Sequence, residues 1–369
     1  MSRVTVSAAL IVKNEEHFLP ECLESLNRRV DEIVIVDTGS DDASVDIATR
    51  TGARLIHHEW QNDFAVARNV GLDAVSCDWV LYIDADERLS LPDGGVIADY
   101  LTPTAIACNV SFRPKTGYTR YRRPRLFRND PRLRFVGCIH ESIFPILHQI
   151  SLSDGLPIVR SRVEIDHLGY DGDQSHKHAR NLALLETSVH SHPDRVYCWY
   201  HLFETLTALG RKQEALEAAN RGFAAVERDP TDKQSADASM IIHALACLQM
   251  EWGQDALPLI ERGLARVPDD HGLRFLRGRA LISAGRPKEA LDIATQLVAI
   301  DPDSLTDELL AFDRTIFREK ACELAALACL RLGRRDEAGA YFAHAARLAP
   351  DVLAYRVKAA AFGATPATV

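Results

Sequence analysis

Between residues 4 and 90, short apolar runs alternate with stretches whose apolar positions recur at helical spacing. VTVSAALIV (4–12) reads as a buried strand, and HFLPECLESL after it carries apolar residues three and four positions apart. DEIVIVD (31–37) is a second strand; TGSDD follows, with Asp41 or Asp42 placed to cap a helix containing Val45, Ile47 and Ala48. ARLIHH (53–58) gives a third strand, residues 64–75 a helix, and WVLYID (79–84) a fourth strand. This alternation predicts an α/β domain, a Rossmann-like, mostly parallel sheet with helices on both faces. In such sheets ligands bind beyond the carboxyl ends of the strands. Lys13 to Glu16, Asp37 to Ser40 and Asp84 to Glu87 all fall there.

The last of these clusters carries the most chemistry. VLYIDADERL (80–89) is an apolar strand that ends in Asp84, Ala85, Asp86 and Glu87. Along an extended segment Asp84 and Asp86 point to one side, so both can face a divalent ion or a sugar nucleotide. Mg²⁺ and Mn²⁺ accept carboxylate oxygens and share their remaining positions with substrate phosphates, which suits a nucleotide diphosphate. A helix cap or a solvated turn is the alternative reading of the same residues.

In order, ALIVKNEE, IVIVDTGSDD, FAVARNVGL and YIDADERL resemble the family 2 glycosyltransferases of the GT-A fold over about the first 170 residues. The resemblance is nearest to a bacterial branch that joins such a domain to tetratricopeptide repeats, including peptide S-glycosyltransferases and lipopolysaccharide-core transferases. It implies that Val12, Asn14 and Glu15 line the base and ribose of the donor, that Asp37 bonds the base, and that Arg68 and Asn69 approach the donor. Asp84 would touch the ribose and the sugar, and Asp86 would ligate the metal. Residue by residue, an Asx turn at Asp37 and Ser40 and a helix-surface role for Arg68 stay open.

Farther on, TRYRRPRLFRNDPRLR (119–134) concentrates arginines in a chain of net charge −9. Guanidinium forks match phosphate oxygens, so a diphosphate or an anionic acceptor fits this stretch, with Arg125 as a donor-binding candidate. The overall acidity argues against nucleic acid. FVGCIHESI resembles the G-x-IHE segment of the same transferase branch, and Glu141 is the candidate base for an inverting reaction. VEIDHLGY ends another strand; GT-A enzymes commonly complete the metal shell with a histidine from a late strand, which makes His167 a second metal candidate beside Asp86.

After Tyr170 the strand patterns stop. DGDQSHKHARNLALLE opens a helical region with Lys177 and Arg180 on one face, toward the donor phosphates. A repeat then emerges: LGRKQEAL, WGQDAL, AGRPKEAL and LGRRDEAG, with Pro230, Pro268, Pro302 and Pro350 closing the units. Glycine ends one helix and proline the next. These resemble tetratricopeptide units, which stack into an all-α superhelix. The expected division is a GT-A domain over 1–170 and a helical domain over 171–369, the latter an acceptor groove, a stiffening bundle or a homodimer interface.

Composition adds location. The chain has 369 residues and eight cysteines without CxxC pairs, which speaks for a reducing cytoplasm. No apolar stretch approaches a transmembrane span, and Lys13 interrupts the first apolar run too early for a signal peptide. The expected activity is a Mn²⁺- or Mg²⁺-dependent, inverting hexosyl transfer from a nucleotide diphosphate sugar, a UDP-sugar, to a peptide, protein or glycan. A nucleotidyltransferase would want a glycine-rich phosphate loop where KNEE stands. A non-catalytic repeat scaffold is opposed by the intact Asp37, Asp84, Asp86 and Glu141.

Overall fold

A computed structural model describes residues 3–169, 175–228 (side chains from 178), 236–305 and 310–362. The chain divides into two compact units, one of residues 1–116, 120–188 and 306–309, the other of residues 117–119, 189–305 and 310–369. The boundary expected at 170 differs from this division by most of α5 (Ser175–Ser191), which groups with the first unit through Ser188. Helical periodicity begins after residue 170, but periodicity reports local structure and not which core a helix joins.

In the first unit, β1 (Val6–Val12), α1 (Leu19–Leu26), β2 (Glu32–Asp37), α2 (Ser44–Arg50), β3 (Arg54–His57), α3 (Phe64–Ala74) and β4 (Trp79–Tyr82) follow the expected alternation. The chain then runs through β5 (Glu87–Ser90), β6 (Ala107–Arg113), β7 (Tyr121–Arg128), α4 (Phe144–Asp154) and β8 (Ile158–His167). The eight strands form one sheet in the order β3-β2-β1-β4-β7-β6-β8-β5. β1, β2, β3 and β4 pair in parallel, and so do β6 and β8; β7 runs antiparallel to β4 and β6, as β5 does to β8.

The central strands are apolar on both sides because both faces are covered. Val6, Ala8, Leu10, Val12, Trp79 and Leu81 pack with Leu19, Leu23 and Leu26 of α1 and Ala48 of α2. On the opposite face Ala9, Val34 and Val80 meet Ala65 and Leu72 of α3 and Leu147 and Ile150 of α4. Asp63 caps α3, its Oδ1 accepting from Val66 N–H at 3.0 Å. Neither Asp41 nor Asp42 caps α2; Asp42 Oδ1 instead accepts from Ser44 N–H at 2.9 Å in an Asx turn just before it.

The second unit consists of helix pairs: α6 (Val196–Ala208) with α7 (Lys212–Arg228), α8 (Ala236–Glu251) with α9 (Leu257–Arg266), α10 (His271–Ser283) with α11 (Pro287–Val298), and α12 (Glu319–Arg331) with α13 (Arg335–Leu348), followed by α14 (Leu353–Ala361). Gly210, Gly253, Gly285 and Gly333 stand between the partners with φ of 67 to 77°, the left-handed region that a β-carbon disfavours. Each ends its helix in the same way. The residue after the glycine donates five positions back, Arg211 to Leu206, Gln254 to Gln249, Arg286 to Leu281 and Arg334 to Cys329, at 2.8–2.9 Å. Among the described residues no helix is long and apolar enough to cross a membrane.

Candidate active site

The carboxyl ends of β1, β2 and β4 lie side by side in the sheet, and the loops that leave β1 and β2 are bonded together. Asn14 N–H donates to Ser40 Oγ at 3.0 Å, Asp41 N–H to Asn14 Oδ1 at 2.9 Å, and Glu15 N–H to Ser44 Oγ at 2.8 Å. Asn14 takes φ of 56°, which asparagine tolerates better than most residues. Val12 is buried, and its carbonyl accepts from Thr38 N–H at 3.0 Å. Asp37 makes the Asx turn: Gly39 N–H and Ser40 N–H donate to its carboxylate at 3.2 and 3.1 Å, with His57 Nδ1 at 3.4 Å. Burial works to raise this carboxyl, but those bonds, led by Ser40, outweigh it and hold it below the ordinary value.

The segment after β4 is not extended. Glu87 N–H donates to Asp84 O at 3.0 Å, closing a turn over Ala85 and Asp86, so strand alternation does not set the direction of the two aspartates. They meet different partners. Asp84 Oδ1 accepts from Arg68 Nη2 at 2.7 Å, and Arg68 Nε donates to Glu141 Oε1 at 2.5 Å. Arg68 is therefore no surface arginine; it is 9% exposed, stacked beside Tyr82 and Phe135, and joins Asp84 to Glu141. Burial works to raise the Asp84 carboxyl, but Arg68 and Arg125 outweigh it and hold it down at about 2.

Asp86 pairs with His167, Oδ2 to Nε2 at 3.1 Å, while His167 Nδ1 donates to Pro114 O at 2.9 Å. Burial would depress the imidazole, but Asp86 and Glu87 overcome it and raise the group to about 9. Leu168 N–H donates to Asp86 O at 2.9 Å, and a β-carbon on Gly169 would overlap the Asp86 carboxylate. Residues 167 to 169 thus wrap Asp86.

Glu141 leaves a short loop that is closed where Val136 and Ser142 exchange backbone hydrogen bonds of 3.0 and 3.1 Å. His140 before it takes φ of 50°, a conformation a β-carbon makes costly and that recurs at functional sites. The bond to Arg68 occupies Oε1 and leaves Oε2 without a hydrogen bond among the described residues.

Two donor-binding candidates are placed otherwise than expected. Asn69 spends both ends of its amide on Phe135, accepting from its N–H at 2.9 Å and donating to its carbonyl at 3.0 Å, so it holds the chain near Arg68. Arg125 stands near Asp84: Nη2 donates to Glu87 Oε1 at 2.6 Å, and buried Nε and Nη1 have no hydrogen-bond partner among the described residues. Its charge bears on Asp84, whose carboxyl it helps to hold down. The side chain of Lys177, in α5, lies outside the described residues.

The surrounding arginines are engaged within the protein. Arg120 bonds Asp166 at 2.7 Å and Glu164 at 3.2 Å, Arg122 bonds Ser161 O at 2.8 Å, and Arg132 bonds Asp154 at 2.7 Å. Glu87, read from the sequence as one of three carboxylates at a strand end, is 1% exposed and belongs to the core. Burial raises its carboxyl, with Arg125 opposing. The only signal for this was its place three residues after Asp84, where a side chain reaches back to the preceding backbone.

Residues 7–149 match the model of glycosyl transferase family 2, and residues 244–304 and 319–352 match tetratricopeptide repeat models. A TPR repeat-containing protein of Synechococcus elongatus is 36% identical over 58% of this chain and 55% of its own length. The SPbeta prophage-derived glycosyltransferase SunS of Bacillus subtilis is 26% identical over 65% of this chain and 58% of its own. An uncharacterized glycosyltransferase of Rickettsia felis is 39% identical over 23% of this chain and 30% of its own. The chain thus spans little more than half the length of the first two relatives. It carries a family 2 glycosyltransferase domain followed by tetratricopeptide repeats.

Proposed function

We propose that the first unit transfers a hexose from a nucleotide diphosphate sugar, with UDP as the nucleotide, to a peptide, protein or glycan acceptor, inverting the anomeric carbon. The observation that carries this reading is the ion-paired chain Asp84–Arg68–Glu141 at the strand ends, beside Asp86 and His167. It joins an anionic ligand pair, a cation and a candidate base in one site. Val12, Asn14, Glu15 and Asp37 stand at the ends of β1 and β2 for the nucleoside, and the repeats hold part of the acceptor. The eight free cysteines suit a reducing cytoplasm.

The residues fit a divalent cation. His167 is fixed by Pro114 O so that Nε2 faces Asp86, the second-shell arrangement of a ligating imidazole. The missing side chain of Gly169 makes room for the Asp86 carboxylate, and Asp84 Oδ2 accepts no hydrogen bond among the described residues. Among these residues no three His, Cys, Asp or Glu side chains form a cation site unaided, so diphosphate oxygens have to complete the shell. Mn²⁺ or Mg²⁺, when bound, supplies positive charge to the leaving diphosphate. Glu141 Oε2 takes the proton of the acceptor hydroxyl or thiol as that atom bonds the anomeric carbon and the bond to the nucleoside diphosphate breaks.

Asp86→Ala tests this. The variant is expected to fold, because Asp86 sits at a turn, yet to lose transfer and the Mn²⁺-dependent rise in melting temperature that UDP-sugars give the wild type. If the variant binds donor and metal like the parent, the assignment is wrong.

A further inference from the structure

Glu87 closes the acidic run but has no part in the reaction proposed above, and its burial calls for a reason. A carboxylate that is 1% exposed has given up its water, a cost that a glutamine, methionine or leucine in the same place would avoid. Its two oxygens are used differently. Oε2 accepts from Asp84 N–H at 2.9 Å, a bond that a glutamine carbonyl would make equally well. Oε1 accepts from Arg125 Nη2 at 2.6 Å, and this is the bond that needs a charge.

Arg125 has a second anion within reach. Its Nη1 stands 4.0 Å from Asp84 Oδ2, too long for a hydrogen bond, and neither Nη1 nor Nε has another partner among the described residues. Tyr82 and Phe112 flank the guanidinium at 4.2 and 5.0 Å and leave it the line between Glu87 and Asp84 along which to move. Asp84 already accepts Arg68 on Oδ1, so Oδ2 is the oxygen left for a ligand. A guanidinium that closed the remaining gap would saturate the carboxylate with protein cations.

We propose that Glu87 is a positioning residue: by holding Arg125 it keeps that guanidinium off Asp84 and leaves Asp84 Oδ2 open. This rests on the reading of Asp84, Asp86 and His167 as the cation and donor site. The register supports it, since Glu87 stands opposite His167 in the β5–β8 ladder, so one residue fixes the turn, the arginine and the strand that brings the imidazole.

Glu87→Gln isolates the charge, because it keeps the bond to Asp84 N–H while releasing Arg125. Binding of Mn²⁺ to the full chain, followed by electron paramagnetic resonance with UDP and separately with GDP, is expected to weaken about tenfold or more. Glu87→Gln/Arg125→Met removes the released guanidinium as well and is expected to return the dissociation constant to within about threefold of the wild type, at or below the smallest second-shell effect. A purely structural role would lower the melting temperature and leave Mn²⁺ affinity unmoved in the folded protein. Unchanged affinity in Glu87→Gln overturns the proposal, as does a folded double variant that binds as weakly as the single one. Should Glu87→Gln fail to fold, the double variant decides alone: wild-type affinity supports the role of Arg125, and tenfold weaker affinity sinks it. A wild type that takes up no Mn²⁺ with either nucleotide removes the cation reading itself, a result distinct from both.

Discussion

At the scale of single residues, Gly169 is the position with least freedom, since a methyl group there would overlap the Asp86 carboxylate. Gly169→Ala is expected to weaken Mn²⁺-dependent donor binding by about tenfold or more while the melting temperature changes little, because a cation ligand moves and the core does not. Calorimetric titration checks this; wild-type affinity would mean that Asp86 can be displaced without loss. Glu141→Gln keeps the shape of the side chain but cannot take a proton, so donor affinity should persist while turnover falls roughly 10²-fold or more. Loss of donor binding in that variant would make Glu141 a support for Arg68 instead. The individual polar residues were legible in the sequence because each interrupts an apolar run. Their pairing was not, since Arg68 meets Glu141 across 73 positions and Arg120 meets Asp166 across 46. The basic run from 119 to 134 looked like a ligand surface for that reason: most of the carboxylates that answer it lie far along the chain, Asp73 in α3, Glu87 in β5, Asp154 in α4 and Glu164 and Asp166 in β8.

Among the elements, the first four strands could be read directly, as buried parallel strands are continuous apolar runs. β5 could not, because it follows β4 after a four-residue turn and merges with it in the pattern. β7 was hidden too: YRRPRLFR has four arginines and a proline and no regular alternation, and Pro124 falls where the β6–β7 register shifts, a place that spares the missing N–H. The helix pairs were legible from their glycines, which mark a backbone state rather than a packing pattern. Inside them, Asp270 caps α10, accepting from Leu273 N–H at 2.8 Å while Ser239 donates to its other oxygen. Asp270→Ala should cost about 1–2 kcal/mol for the cap alone, measured by urea denaturation. Burial keeps His243 and His271 below the ordinary histidine value of 6.5, with Arg279 and Arg274 adding to it and Asp270 opposing. Both bind protons less readily folded than unfolded, so the stability they lend is present above the ordinary value and drains away as pH falls below it. His271, between Phe312 and Phe317 with its Nδ1 unpartnered, is the clearer test. His271→Leu should flatten the loss of stability between pH 7.5 and 5.5; an unchanged slope would assign that loss to other groups.

For the whole molecule, a fragment ending near His192 tests the division of labour. If the repeats hold part of the acceptor, it should keep the stabilisation given by nucleotide sugar and lose transfer, once circular dichroism has shown it folded. Full transfer by a folded fragment would leave the repeats a docking or pairing module. The sheet order carries a different consequence, one of timing. β5 is a four-residue edge strand whose ladder partner is β8, and Asp86 and His167 come together across 81 positions of chain. Pairings that close such long loops form slowly, whereas helix pairs joined by a few residues form early although they are made last by the ribosome. In a refolding experiment most of the helical signal should therefore return before the protein can bind nucleotide, and binding should track the slowest phase. A newly made chain would carry Asp84 and Asp86 through β5, β6, β7, α4 and β8 before His167 is made. If His167 completes the donor site, capture of nucleotide sugar should wait on the pairing of these two strands.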